Sequence, residues 1–145
     1  MTTAIANLQA AQQRALTLRP AVGGFPVLAE VLRRAGVQHN EWTLPGATSR
    51  YETDLGCVVI QGAPLVTGAV DVAPFDRESL VAAIRADQAG NSTFPEFMEQ
   101  IWSAGVVRYA VDFAARTCIY YGHDDTSYVE EYANIELADA TNLHV

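Results

Sequence analysis

The sequence predicts an α+β fold: one domain of two helix-helix-strand-strand(-strand) units, with an antiparallel sheet packed by the helices. Three observations carry that expectation. The segment that opens Phe25-Pro26 and closes Ala35-Gly36-Val37 recurs as Phe94-Pro95 to Ala104-Gly105-Val106, an offset of 69 residues. In each copy a helical apolar period gives way, after the glycine, to short β-like runs. Half of the 145 residues are hydrophobic, enough for one sizeable core without staples. Two copies are too few for a solenoid, so the halves are expected to bury each other's apolar faces.

The elements follow in order. A first helix is expected over 3–18, with Ile5, Leu8, Ala15 and Leu16 toward one side. The second opens at Phe25-Pro26, because proline lacks an N–H that the first turn leaves unpaired anyway. Its apolar stripe is Leu28, Val31, Leu32 and Ala35, and Gly36 ends it in the left-handed conformation. Strands are expected at 39–44, 50–53 and 57–61, with Pro45-Gly46 as a turn. A connector rich in glycine, proline, alanine and valine fills 62–75. Asp76 then caps a third helix, with Phe75 and Leu80 as a hydrophobic staple, and the helix stops near Gly90. Thr93 and Glu96 form a capping-box pattern for the fourth, whose apolar face is Phe94, Phe97, Met98, Ile101 and Ala104. Strands at 107–113, 116–121 and 127–132 complete the second half, with Ala114-Ala115 as a two-residue turn. The ungapped offset also pairs Thr48 with Thr117 and Tyr51 with Tyr120, and carries Val59-Ile60 onto Tyr128-Val129. The domain is therefore read as 1–132, with halves at 3–61 and 76–130 and a C-terminal tail at 133–145.

Charge narrows the partners. Seventeen acidic and nine basic residues give a net charge of −8, and every basic residue is a scattered arginine. Such a surface repels nucleic acid and anionic lipid, so neither is expected as a partner. The longest apolar runs, such as Cys57-Val58-Val59-Ile60, are far short of a membrane span, and the first residues do not read as a signal peptide. Cys57 and Cys118 lack metal-ligand spacing and read as two buried, reduced thiols in a cytoplasmic protein.

Few side chains carry chemistry. His123, Asp124 and Asp125, with Glu130 a short strand away, are the candidate catalytic cluster. A histidine and carboxylates can hold a divalent ion or act as acid and base, and the plainer reading is a solvated acidic loop. Tyr121, Tyr128, Arg108 and Arg116 are the candidate binding residues, on a tyrosine-rich sheet able to anchor a partner or simply suited to strands. Asp112 is expected to pair with Arg108 or Arg116. Trp42 and Trp102 read as packing residues, and His39 and His144 as solvated. Gly23-Gly24 before a helix lacks the rest of a phosphate-binding loop. No cofactor or metal is expected.

Phe94-Pro95-x-Phe97, Ala104-Gly105-Val106, Ile119-Tyr120-Tyr121-Gly122 and Val129-Glu130 together resemble the YdfO/YbcV-like prophage-associated family (domain of unknown function 1398, loosely labelled phage envelope protein-like). Phe25-Pro26 through Ala35-Gly36-Val37 adds a weaker match. The resemblance implies a small α+β protein without an assigned activity. The family pattern places histidines around the final glutamate. Here Tyr128 and Glu131 stand around Glu130, which removes two potential metal ligands.

The leading expectation is a non-enzymatic accessory or interaction protein of prophage-like origin, working with a protein partner or as a homodimer. The alternatives are a small metal-assisted hydrolase using His123, Asp124, Asp125 and Glu130, and a phage structural component.

Overall fold

A computed structural model describes residues 3–18, 24–135 and 137. Gly23, His144 and nearly all of the tail after Ile135 lie outside the described residues. The elements run α1 (Ala4–Leu18), α2 (Phe25–Arg34), β1 (Val37–Thr43), β2 (Thr48–Thr53), β3 (Gly56–Gln61), α3 (Arg77–Gln88), α4 (Phe94–Ser103), β4 (Arg108–Asp112), β5 (Thr117–Tyr121) and β6 (Ser127–Glu131). All six strands form one antiparallel sheet in the order β3-β2-β1-β4-β5-β6. Helices pack on one face of that sheet, as the α+β expectation requires. No helix among the described residues is long and apolar enough to cross a membrane.

The local chemistry explains these boundaries. Thr93 Oγ1 accepts from the Glu96 N–H, and the Glu96 carboxylate accepts from the Thr93 N–H, so the α4 N-terminus is closed by its own side chains. Asp76 does the same for α3 by accepting from Ser79. Gly36 and Gly105 take φ of +93° and +91°, which turns the chain out of α2 and α4 directly into the strands. Each helix packs mainly on the other helix of its own half. Asn7 Nδ2 donates to the Ala35 carbonyl at 2.8 Å, tying α1 to the end of α2.

The 69-residue offset carries α2 onto α4 end for end. It also carries the β1/β2 register onto that of β4/β5: Asn40 faces Tyr51 as Tyr109 faces Tyr120. At the centre Glu41 pairs with Ala110, two positions that the offset equates, so a local two-fold axis passes between them. The sixth strand breaks the ungapped correspondence. Tyr51 faces Val58, whereas Tyr120 faces Tyr128, so Val58-Val59 and not Val59-Ile60 match Tyr128-Val129. The cause is loop length: Asp54-Leu55 suffice to join β2 to β3, while 122–126 join β5 to β6. Side chains alternate with period two, so this one-residue slip is what keeps Tyr128 on the helix-covered face.

Three smaller expectations are corrected. The β4–β5 connection is a four-residue turn over 113–116, with Arg116 at φ 57° and the Asp112 carboxylate accepting from the N–H groups of Ala114 and Ala115. Its equivalent, 44–47, holds Ala47 at φ 52°. With Asp112 serving the turn, Arg108 pairs instead with Glu41 at 3.9 Å. Cys57 is exposed, because in the run Cys57-Val58-Val59-Ile60 it is Val58 that points inward. Cys118 is buried, and burial pushes its thiol up to about 12.

Glu30 is the charged group held most firmly in the helical layer. Its side chain is 7% exposed and accepts hydrogen bonds from Arg33 at 2.7 and 2.8 Å and from Arg34 at 2.9 Å. The Arg33 hydrogen bond, seconded by Arg34 and opposed by burial, lowers its pKa from 4.5 to about 2. A depressed carboxylate stabilises the fold above its unfolded pKa and loses that contribution as pH falls through its folded one. Acidification from pH 5 to pH 2 is therefore expected to remove on the order of 2 kcal/mol through this residue. Urea titrations across that window check it: Glu30→Gln should flatten the acid limb relative to the wild type.

Candidate functional site

The helix-covered face of the sheet presents two rows of side chains across the strands. One runs Ser49, Trp42, Tyr109, Tyr120, Tyr128, and the other Val58, Tyr51, Asn40, Val111, Cys118, Glu130. The helix pairs cover the outer strands and leave a cavity of about 580 Å³ over the central ones. Its floor is the middle of both rows. Its walls carry Phe25, Leu28 and Leu32 from α2, Ile84, Asp87 and Gln88 from α3, and Phe94 and Phe97 from α4, with Tyr132 beyond β6. Leu16 and Phe94, both largely exposed, mark the mouth.

Aromatic rings brace this cavity. Trp42 packs on Phe94 at 5.3 Å and lies nearly parallel to Tyr109 at 6.4 Å. Tyr109 continues to Tyr120 at 5.6 Å, and Tyr120 meets Phe97 edge-on at 6.5 Å. Phe25 meets Tyr132 edge-on at 5.1 Å, so a ring from the first half touches one from the second at each side. Burial raises the Tyr109 and Tyr120 hydroxyls well above their ordinary range, so both stay protonated as neutral hydrogen-bonding groups. Asn40 is buried on the floor and donates to the Arg50 carbonyl at 3.0 Å.

The residues singled out in the sequence are divided among three places. His123, Asp124 and Asp125 sit in the exposed 122–126 loop. There Asp124 accepts from the Thr126 hydroxyl at 2.6 Å, which lowers its carboxyl, and Asp125 adopts φ 66°. Glu130 lies apart from them, on the cavity side of β6. It is ion-paired with Arg85 of α3 and accepts from the Tyr128 hydroxyl at 2.7 Å. Burial raises its carboxyl, and Arg85 and Tyr128 together bring it back below the ordinary value. Among the described residues no three His, Cys, Asp or Glu side chains gather to hold a metal. Tyr121 and Arg108 share the open face, the guanidinium 3.7 Å above the ring. Tyr128 points to the opposite face, under Arg77 at 5.2 Å. Arg116 stands in the β4–β5 turn. The open face also holds a smaller depression of about 250 Å³ around His39, Glu41, Arg50 and Asp112.

Of the cavity residues the sequence reading singled out Glu130 as a candidate site residue, and the rest escaped it because they come together only across the two halves. One signal was available. The offset equates Phe25 with Phe94, Leu28 with Phe97 and Tyr51 with Tyr120, and all six line the cavity. Paired positions of this kind belong near a two-fold axis.

The family model described as a protein of unknown function (DUF1398) matches residues 19–131. The chain belongs to this DUF1398 family. The matched span contains the whole sheet and, of the cavity residues named above, all but Leu16 and Tyr132. The DUF1398 chain is also 56% identical over 136 residues to Uncharacterized protein Rv2012 of Mycobacterium tuberculosis and to Uncharacterized protein Mb2035 of Mycobacterium bovis. Each alignment covers 94% of this chain and 83% of the relative.

Proposed function

We propose that the protein is a non-enzymatic binding protein that takes a small, largely apolar organic molecule into the cavity between its two halves. The single observation that carries this reading is the cavity itself. About 580 Å³ falls within the range of small-molecule sites, and its lining is mainly aromatic and aliphatic with a few convergent polar groups: Asn40, Tyr109 and Tyr120. An accessory role fits the same feature, since a buried tyrosine floor and a thiol held protonated supply recognition and no activated nucleophile. The hydrolase reading draws no comparable support, because Glu130 is engaged with Arg85 and Tyr128 and lies apart from the 122–126 loop that carries His123, Asp124 and Asp125. The prophage-like origin belongs to the accessory reading and is addressed by gene neighbourhood.

A cavity-filling variant tests the proposal. Val111 lies on the floor at the position that the offset equates with Trp42. Val111→Trp is expected to project an indole into open space, keep a cooperative unfolding transition and abolish binding of an apolar fluorescent probe that the wild type takes up. Ligand that binds only the folded state also raises the wild-type melting temperature, and that shift should vanish in the variant. Equal probe uptake by both proteins would place the probe elsewhere and defeat the reading.

A further inference from the structure

We infer that the ligand of the cavity carries a neutral carbonyl oxygen, which accepts hydrogen bonds from the hydroxyls of Tyr109 and Tyr120. This rests on the proposed binding role and names the group that the site recognises. The two tyrosines are cross-strand partners in the cavity floor, with ring centroids 5.6 Å apart and planes inclined by 35°. Tyr109 is 7% exposed and Tyr120 6%. Neither hydroxyl makes a hydrogen bond to any described residue. Ser49 Oγ is the one polar side-chain atom among those residues that is sealed in without a partner, so the tyrosine hydroxyls are open to the cavity. The neighbouring amide of Asn40 already donates to the Arg50 carbonyl. Two buried O–H donors thus stand side by side without a protein acceptor, and a ligand that displaced their water without replacing it would leave both unmet.

The acceptor that fits them is uncharged. A carbonyl oxygen has two lone pairs and can take both O–H groups at once. A carboxylate accepts more strongly, but it must shed its water into a lining whose described residues include no arginine, lysine or histidine. Burial keeps both tyrosines protonated, so they supply donors and no charge of their own. An ammonium group offers no lone pair to either hydroxyl. The two carboxylates of the lining are engaged already, Asp87 with Ser92 at 3.4 Å among its contacts and Glu130 with Arg85 and Tyr128. The rest of the ligand meets Trp42, Val111 and Phe97, which suit an aromatic or alicyclic body. Ketones and simple amides built on such a body are the chemical class that this lining favours.

Calorimetry on the full chain tests this with 2-acetylnaphthalene, 2-isopropenylnaphthalene, which has a CH₂ group in place of the oxygen, and 2-naphthoate. The second protein is the double variant Tyr109→Phe/Tyr120→Phe, which keeps both rings and removes both donors. Ketone and hydrocarbon differ in their own hydration, so the quantity read is the ratio of their affinities in each protein. Removing the hydroxyls is expected to lower the ketone-to-hydrocarbon ratio about tenfold, and the wild type to bind the carboxylate more weakly than the ketone. An unchanged ratio, or a carboxylate that binds the wild type as tightly as the ketone, would overturn the inference and leave the cavity's binding role intact. Binding of none of the three to the wild type would defeat that role itself, and the inference with it. Without ligand, the double variant is expected to melt at or above the wild-type temperature, since no protein partner loses a hydrogen bond. A clear fall would show that the hydroxyls are already held by the protein, and would overturn their assignment to a ligand.

Discussion

Gly105→Ala is expected to destabilise the protein by about 3 kcal/mol or more, and far more than the same change at Gly36. The two glycines close equivalent helices with nearly identical backbone, at φ +91° and +93°, so the conformational strain on a new Cβ is the same, about 1–2 kcal/mol. What differs is the neighbour. At Gly36 the added carbon meets the Asp54 carboxylate at 2.7 Å, the end of a side chain that can swing away. At Gly105 it meets the Pro74 carbonyl oxygen at 2.5 Å and Phe75 Cα at 2.7 Å, which are main-chain atoms of the connector between the halves. The same stretch is tied down by the Asp76 N–H donating to the Ala104 carbonyl at 2.8 Å. Relief at Gly105 therefore requires moving the connector and the start of α3. Paired urea titrations of the two variants check this. Equal losses would mean that the connector yields freely.

Ile101→Ala should cost about 2–5 kcal/mol, the range for removing a large aliphatic side chain from a tight interior. Ile101 is fully buried on the inner face of α4, and its equivalent on α2, Leu32, is buried as well. Both belong to one continuous core, so the loss should appear as a lower midpoint of a single transition with an unchanged slope. Ile5→Ala gives the contrast. Ile5 is exposed on α1, and its truncation should stay within about 0.5 kcal/mol.

The sequence was most readable where short-range chemistry decides. Thr93 with Glu96, Pro26 and Pro95 near the helix starts, and the two closing glycines each act within a few residues, and each behaves as its local pattern dictates. The strands were readable as segments but not always by face. Cys57-Val58-Val59-Ile60 is apolar throughout, so alternation gives no phase, and only pairing with β2 turns Val58 inward and Cys57 outward. Tyr128 was misplaced for a related reason. An offset fixed by helices cannot register one extra residue in the 122–126 loop, and one residue reverses the face. The candidate site was the least readable part. Trp42 and Phe94 are 52 positions apart in the chain and in contact in space, and Phe25 meets Tyr132 across nearly the whole domain. Neither pairing leaves a trace in local periodicity.

The two-fold axis between Glu41 and Ala110 has a further consequence for anything held above it. A container with matching ends would accept an elongated guest equally well head-first or tail-first. Here the ends have diverged, Asn40 opposite Tyr109, Trp42 opposite Val111 and Leu28 opposite Phe97. Any guest of the proposed cavity therefore meets unlike side chains at its two ends, and an unsymmetrical one is expected to settle in a single orientation.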